Sequence, residues 1–476
     1  AAALNPVLQL HEIADHLTAH PMGLHPIGRR SREPRGDTSL RDSIEWSHQL
    51  LTPDERTVHR RLAVLSPEFS LDAAIAVCAD AEVRADRVLP ALAGLAYRSL
   101  LDALGPGRDG GPSRFHQLAP MRAHAAEQLS LDGEAAIVAE RRNGWARALL
   151  LSGPRPGRPG QAAFYQQIGD SHRTITDSMF AAAGTGPCDQ DVFAVARLLP
   201  YWIDRMIPAD PLRISTALAR SVTDANGPLA RAAAVLVRGA VLAANQQASV
   251  VHDELLRATA DIRQVSFDQA DAGCWTQIAD LLIVTASCCW IGDDFELTAT
   301  IAHLADDHAN HLDDPDLRLC AAMFGCLTGL WEDPASAAAT ATELSAQSHA
   351  IGNDLTALMA SVTCSIAALL EGDGVVGLHW TAAALRLQRT LGVRSIADTL
   401  ETRGNHYVTA GQPVEAVRCY GAAHLQQYRQ GRPWPHHPGT GRRLDAAREA
   451  LSLKDFANAW AEGERIGAAD LIEDWL

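Results

Sequence analysis

From about Phe164 almost to the end of the chain, apolar residues recur at helical spacing in segments of roughly 15 residues, and short breaker clusters separate them. Gly292-Asp-Asp, Trp331-Glu-Asp-Pro and Glu371-Gly-Asp-Gly are three such clusters and read as inter-helix turns; paired carboxylates such as Asp293-Asp294 and Asp313-Asp314 sit at turns, where they cap helices. No strand-like alternation of useful length follows residue 120, so this part of the chain has to bury helix against helix. Segments near 226–265, 270–310, 314–349 and 354–391 read as helix pairs of similar length. A stack of pairs buries its core only between neighbours and leaves a concave groove, a shape suited to a peptide or a partner domain.

The repeat is clearest from Asp398 to Tyr428, which carries Leu400, Gly404, Tyr407, Gly411, Ala416, Tyr420 and Ala423. This pattern resembles the tetratricopeptide repeat, in which small residues let two antiparallel helices approach and large ones fill the gap. Arg403 departs from the leucine usual before the glycine. The resemblance implies that Glu401 and Asn405, on the first helix of the pair, face the concave side, which makes them candidate partner-binding residues. Trp275, Trp290, Trp331 and Trp380 recur along the pairs and read mostly as core, with one or two candidates for the groove.

The stretch from Thr38 to Leu131 is organised differently. Leu40, Ile44, Leu50 and Leu51 offer one helix a buried face, and Thr52-Pro53-Asp54-Glu55 reads as a capping box that starts a second helix at Pro53. Val58, Leu62 and Leu65 form the apolar face of that second helix, with Arg56, Arg60 and Arg61 expected in water. Ser70 is placed to cap a third helix from Leu71 to Ala79, and a fourth spans about Arg87 to Tyr97. Ser99–Ala103 and Arg114–Leu118 then read as two extended runs joined by the breaker-rich Gly105–Pro112, a β-hairpin. A helix from Pro120 to about Leu131 closes the unit, which makes it a winged helix.

These blocks, from Leu-Arg-x-x-Ile-x-Trp-Ser to Arg-Phe-His-Gln-Leu, resemble the winged helix that follows the nucleotide-binding module in STAND-type signalling ATPases. They are most similar to actinobacterial regulators of the LuxR-type and antibiotic-regulatory (SARP) groups. In that family the winged helix clamps the nucleotide and is not a DNA reader. Phe115-His116-Gln117-Leu118 is similar to the family's Met-His-Asp-Leu motif, whose histidine reaches the phosphates of bound ADP. The resemblance therefore implies nucleotide contact by His116, and Gln117 stands where the family has aspartate. The simpler reading is a structural hairpin histidine.

Around this unit, Asn5 to Ala19 reads as one helix, similar to the tail of the helical module after the family's nucleotide core. Met22 to Asp37 reads as an arginine-bearing linker. Glu134 to Leu151 continues as helix, and Phe456 to Arg465 with a helix from Ala468 to Leu476 resembles the end of the family's sensor region. The expected organisation is thus 1–37, a helical module end plus linker; 38–131, winged helix; 132–224, helical connector; and 225–476, a tetratricopeptide-like superhelix. The fold class is mainly α.

Several functions are disfavoured. A formal charge of −16 repels phosphate backbones, which lowers the case for nucleic-acid binding. Nine cysteines without a Cys-x-x-Cys pair fit reduced thiols and a cytoplasmic setting. No uninterrupted apolar run approaches the roughly 20 residues needed to span a bilayer. The start at Ala1 lacks methionine and a basic leader region, as expected of a piece of a longer chain. Its single lysine, Lys454, lies in Leu-Ser-Leu-Lys-Asp-Phe with no glycine run before it, so a complete P-loop cannot be formed here. His11 and His16 are five apart and turn away from each other on a helix. His303, Asp307 and His311 share a helical face and could chelate, although a solvated acidic face is the simpler reading.

Together these features lead to an expectation: the sensor portion of an ATP/ADP-switched transcriptional regulator, not itself an enzyme and holding no self-sufficient cofactor. Its partners would be the nucleotide-binding domain of the same parent chain and an unknown ligand or protein in the groove, with oligomerisation on activation and neither membrane nor direct DNA contact. The alternatives are a free-standing tetratricopeptide scaffold with no nucleotide switch and, from the Arg56–Arg61 helix, a DNA-reading winged helix.

Overall fold

A computed structural model describes residues 40–106, 113–205, 209–245, 247–429, 434–435, 437 and 439–465. The expected helices at Asn5–Ala19 and Ala468–Leu476 and the Met22–Asp37 linker lie outside these residues. The described residues form two compact units: one comprises those up to Leu149 with Gln167–Ala181, the other Leu150–Gln166 with those from Ala182 to Arg465.

The first unit opens with α1 (Leu40–Gln49) and α2 (Pro53–Arg61), followed by a 3-10 turn at Leu62–Val64. The capping box at Thr52 forms as its residue types require: Thr52 Oγ1 accepts from the Glu55 amide at 3.3 Å, and Glu55 Oε2 accepts from the Thr52 amide at 2.7 Å. Gly94 makes room for this carboxylate, since a Cβ there would lie 1.8 Å from Glu55 Oε1. β1 (Glu68–Ser70) leads into α3 (Leu71–Cys78), capped by Ser70 as expected, and α4 (Ala85–Tyr97) follows. At the end of α4, Ser99 adopts a left-handed φ of 59°, and the Leu100 amide bonds back to the Leu95 carbonyl at 3.0 Å. This cap occupies residues expected in a strand, so β2 begins later, at Asp102–Pro106, opposite β3 (Ser113–His116).

β1 adds to the far side of β3, which gives a three-stranded antiparallel sheet of order β1-β3-β2 in place of a bare hairpin. Phe69 pairs with Phe115 in register, and both are buried in a core that includes Val58, Leu62, Leu65 and Leu92. α5 (Ala119–Asp132) closes the winged helix and ends on left-handed Gly133; α6 (Ala135–Ser152) follows.

Two burial expectations are corrected. Leu50 is half exposed, because α1 stops at Gln49 and the chain turns there to bring Leu51 inward. Arg61, expected in water, is 2% exposed. Its guanidinium donates to Glu134, to Glu82 and to the Cys78 carbonyl and pairs with Asp80, partners remote in sequence that supply the solvation it loses. Arg60 is also engaged, by Glu134 at 2.5 Å and Asp132 at 2.8 Å.

α7 (Gln161–Asp170) and α8 (His172–Gly184) contribute Gln167–Ala181 to the first unit; in the second unit, after α9 (Asp189–Arg205) and α10 (Ala209–Ser221), the chain becomes a run of antiparallel pairs. They are α11/α12 (Pro228–Ala244, Ala248–Gln264), α13/α14 (Ala272–Ile291, Phe295–His311) and α15/α16 (Pro315–Gly329, Pro334–Ile351). Then come α17/α18 (Asp354–Glu371, Gly374–Thr390) and α19/α20 (Ala397–Thr409, Pro413–Arg429), with α21 (Thr440–Glu449) and α22 (Leu453–Arg465) last. The breaker clusters mark the turns for the reason given by their chemistry: Asp294, Asp314, Asp333 and Asp373 each accept a hydrogen bond from the first turn of the next helix. The first helices of successive pairs pack on one another as well as on their own partners, as in a tetratricopeptide-like stack.

Two of these inner helices, Ala272–Ile291 and Asp354–Glu371, are long and apolar enough by length and composition to cross a membrane; 61% and 56% of those stretches are buried in the protein, as in core helices. Trp275 is core at 2% exposure, whereas Trp331 is 53% exposed.

Candidate functional site

His116 ends β3, and strand alternation sends its side chain and that of Arg114 to one face while Phe115 turns into the core. Asp102 stands opposite His116 in register, with Oδ2 3.4 Å from the ring Nδ1; the two side chains are 30% and 56% exposed. Arg114 is held by Glu68 at 2.6 Å and Asp170 at 3.5 Å. The imidazole is therefore presented near a strand end, reachable from solvent and oriented by one carboxylate, an arrangement able to donate to an incoming oxyanion. Gln117 behaves differently: its amide side chain is 1% exposed with neither polar atom hydrogen-bonded, while its backbone N–H donates to the Pro67 carbonyl. It sits under the strand and does not share the surface with His116.

Glu401 and Asn405 do not face an open groove; both are completely buried. His437 and Thr440 lie over them: Glu401 Oε1 accepts from the His437 amide at 2.7 Å, and Asn405 donates to Thr440 Oγ1 at 2.9 Å and accepts from the Tyr420 hydroxyl at 2.8 Å. Both lie on the first helix of the pair, where His437 and Thr440 cover them. Arg403 is accommodated in its leucine position by the Leu378 carbonyl, the Thr381 hydroxyl and the Tyr407 hydroxyl, and by stacking 5.1 Å from the Tyr407 ring centroid. Gly404 is required by close packing, since a Cβ would lie 2.5 Å from Tyr420 Cε1.

Another ion network lies within the second unit. Arg155 donates to both oxygens of Asp280 and to Asp314 at 2.7 Å, and Arg158 bonds Asp316. Burial pushes the Asp280 carboxyl above its ordinary range, and Arg155 opposes that. These contacts pin the Gly/Pro-rich segment after α6 to the first helices of two pairs, a structural task.

His303, Asp307 and His311 remain on an exposed face, and His311 stacks on Phe267 at 3.5 Å. Among the described residues a different group brings ligand-type atoms together: Glu45, His48 and His124, with buried His59 behind them. Sequence reading missed it. Glu-x-x-His on α1 was a visible signal, but the contribution of His124, 79 residues from Glu45, depends on how α5 packs. The nine cysteines are all free thiols, most of them buried.

The class defined by this architecture is a mainly α protein with a small winged helix and a tetratricopeptide-like helical stack. Over 172 residues, 35% of its length, the chain is 31% identical to proteins named as HTH-type transcriptional regulators in Mycobacterium bovis and in two strains of Mycobacterium tuberculosis. The matched stretch covers 18% of each of those relatives, so the chain spans only a small part of their length. Among solved structures it is similar to a Signal Transduction ATPase with Numerous Domains (STAND) protein with a tetratricopeptide repeat sensor from Pyrococcus horikoshii. That match has 11% identity and a TM-score of 0.40, over 99% of this chain and 72% of that one. No protein-family profile matches the chain.

Proposed function

We propose that the chain is the regulatory sensor portion of an ATP/ADP-switched transcriptional regulator of the LuxR-type or antibiotic-regulatory kind, acting in the cytoplasm. The winged helix holds nucleotide through His116, the nucleotide-binding domain lies elsewhere in the parent chain, and the helical stack receives a ligand or protein. A signal that binds the open arrangement more tightly than the closed one shifts the nucleotide equilibrium by that difference in affinity. The reading is carried by one observation: His116 is part-exposed at the end of β3, with the Asp102 carboxylate beside its ring. The partial identity to named regulators supports the same direction.

The test uses the full-length parent protein. Removing one charge-assisted hydrogen bond, worth roughly 1.5–3 kcal/mol, weakens ADP binding by about 10- to 100-fold. His116→Ala is therefore expected to lose retained ADP and to activate transcription without signal. A folded His116→Ala protein with unchanged ADP affinity refutes the clamp.

A further inference from the structure

Glu45 and His48 are three residues apart on α1 and so lie on one face of that helix. His124, in the middle of α5, comes to the same face: its Nε2 is 3.1 Å from Glu45 Oε2, and its ring centroid is 4.9 Å from that of His48. One donor atom from each of the three lies within 4.8 Å of the others. Around a tetrahedral zinc with bonds of about 2.0–2.1 Å, donor atoms stand roughly 3.3–3.4 Å apart. Glu45 and His124 already have about that spacing, and His48, half-buried near the end of α1, closes the triangle with a small side-chain adjustment.

Behind this triangle lies His59, with no exposed surface. Its Nε2 is 3.2 Å from His124 Nδ1, while its own Nδ1 has no hydrogen-bond partner. A wholly buried imidazole with one nitrogen unsatisfied costs stability where an apolar side chain would pack freely. Its position accounts for it: without a metal His124 Nε2 donates to Glu45, and with a metal in place His59 can accept the His124 Nδ1 proton and free the Nε2 lone pair for the ion, the arrangement in which an outer-shell group sets a ligand's tautomer.

We propose that Glu45, His48 and His124 form a binding site for a divalent transition metal of the zinc class, with His59 as the positioning residue for His124. Two imidazoles and one carboxylate suit zinc and disfavour calcium and magnesium, which take oxygen ligands. Three protein ligands leave a fourth position for water or for an atom from a partner. The Glu45 carboxylate supplies the one negative charge among the three ligands. Occupancy ties the first helix of the winged helix to its closing helix.

The experiment is a zinc titration of the chelator-treated full chain by calorimetry, with bound zinc counted after desalting and cobalt substituted to read coordination from its visible spectrum. The wild-type protein is expected to bind one zinc tightly enough to survive desalting, with a tetrahedral cobalt spectrum. His48→Ala, at a half-buried position that leaves the core untouched, and His124→Gln lose that zinc. Glu45→Gln binds at least tenfold more weakly, and His59→Phe about 10- to 100-fold more weakly with the stoichiometry unchanged. Circular dichroism confirms that each variant is folded. Absence of stoichiometric zinc in the wild type, or a titration unchanged in folded His48→Ala, overturns the proposal.

Discussion

Replacing Arg61 by methionine tests whether the winged helix depends on a buried ion network. The guanidinium lies 2.8 Å from Glu134, 2.9 Å from Glu82 and 3.0 Å from Asp80, and donates to the Cys78 carbonyl at 2.8 Å. Although burial pushes the Asp80 carboxyl up, the Val83 amide and the Arg141 and Arg61 guanidinium groups hold it well below the usual carboxylate range. Removing one side of a buried pair costs about 3–5 kcal/mol. Three facts place this case near the lower end. Glu134 keeps Arg60, Asp80 keeps Arg141 at 2.8 Å, and Glu82 is 57% exposed, so its share is screened. Methionine replaces the aliphatic stem, so the loss is mainly electrostatic, about 3 kcal/mol. Native-state hydrogen exchange of α2 and α3 reads this as roughly 100-fold faster exchange. Pairing Arg61→Met with Glu134→Gln is expected to be less than additive by about 1 kcal/mol or more. Exchange in Arg61→Met that accelerates less than about fivefold refutes the assignment of stability to this network.

Two further perturbations address the helical stack. Gly404→Ala forces a methyl against the Tyr420 ring and is expected to cost about 1–3 kcal/mol by thermal denaturation, and a neutral result would show that Tyr420 can withdraw. Burial pushes the His406 imidazole down to about 4 from its ordinary 6.5, with Ser365 opposing and Arg443 and Arg403 adding to the fall. Between those two pH values the unfolded chain takes up a proton that the folded stack refuses. The stability held above pH 6.5 is therefore lost as pH falls toward 4, by at most about 3 kcal/mol. Melting temperatures at pH 7 and pH 5 check this, and an equal drop in His406→Gln removes His406 as the cause.

Much of the fold was legible because it is written in local chemistry. Thr52, Ser70 and the aspartates at the breaker clusters cap the helices they precede, and a cap needs no knowledge of distant contacts. The corrections arise where a residue's environment comes from elsewhere in the chain. Glu68–Ser70 is too short for alternation to register, and it becomes a strand only because β3 offers it an edge. Arg61 reads as solvated until Asp80, from the turn after α3, and Glu134, from the turn before α6, arrive beside it. Ser99 reads as extended until the cap of α4 requires a left-handed residue there.

The same distinction governs the candidate sites. Repeat spacing located Glu401 and Asn405 on the first helix of a pair but carried no information about His437 and Thr440, which cover them. His116 is singled out by the resemblance of Phe115–Leu118 to a family motif, and the structure adds the face it takes, set by alternation along β3. The Glu45–His48–His124 cluster was legible only by half, through two residues on one helix. Sites assembled within one element can be read from spacing, whereas those assembled between elements require the packing. The winged helix holds one of each: a surface histidine set by its strand, and a histidine–carboxylate cluster that exists only while α1, α2 and α5 stay packed together. Anything that loosens α1 should therefore disperse the cluster before it moves His116, so a metal bound by Glu45, His48 and His124 would report on the integrity of the helices and not on the strand that carries His116.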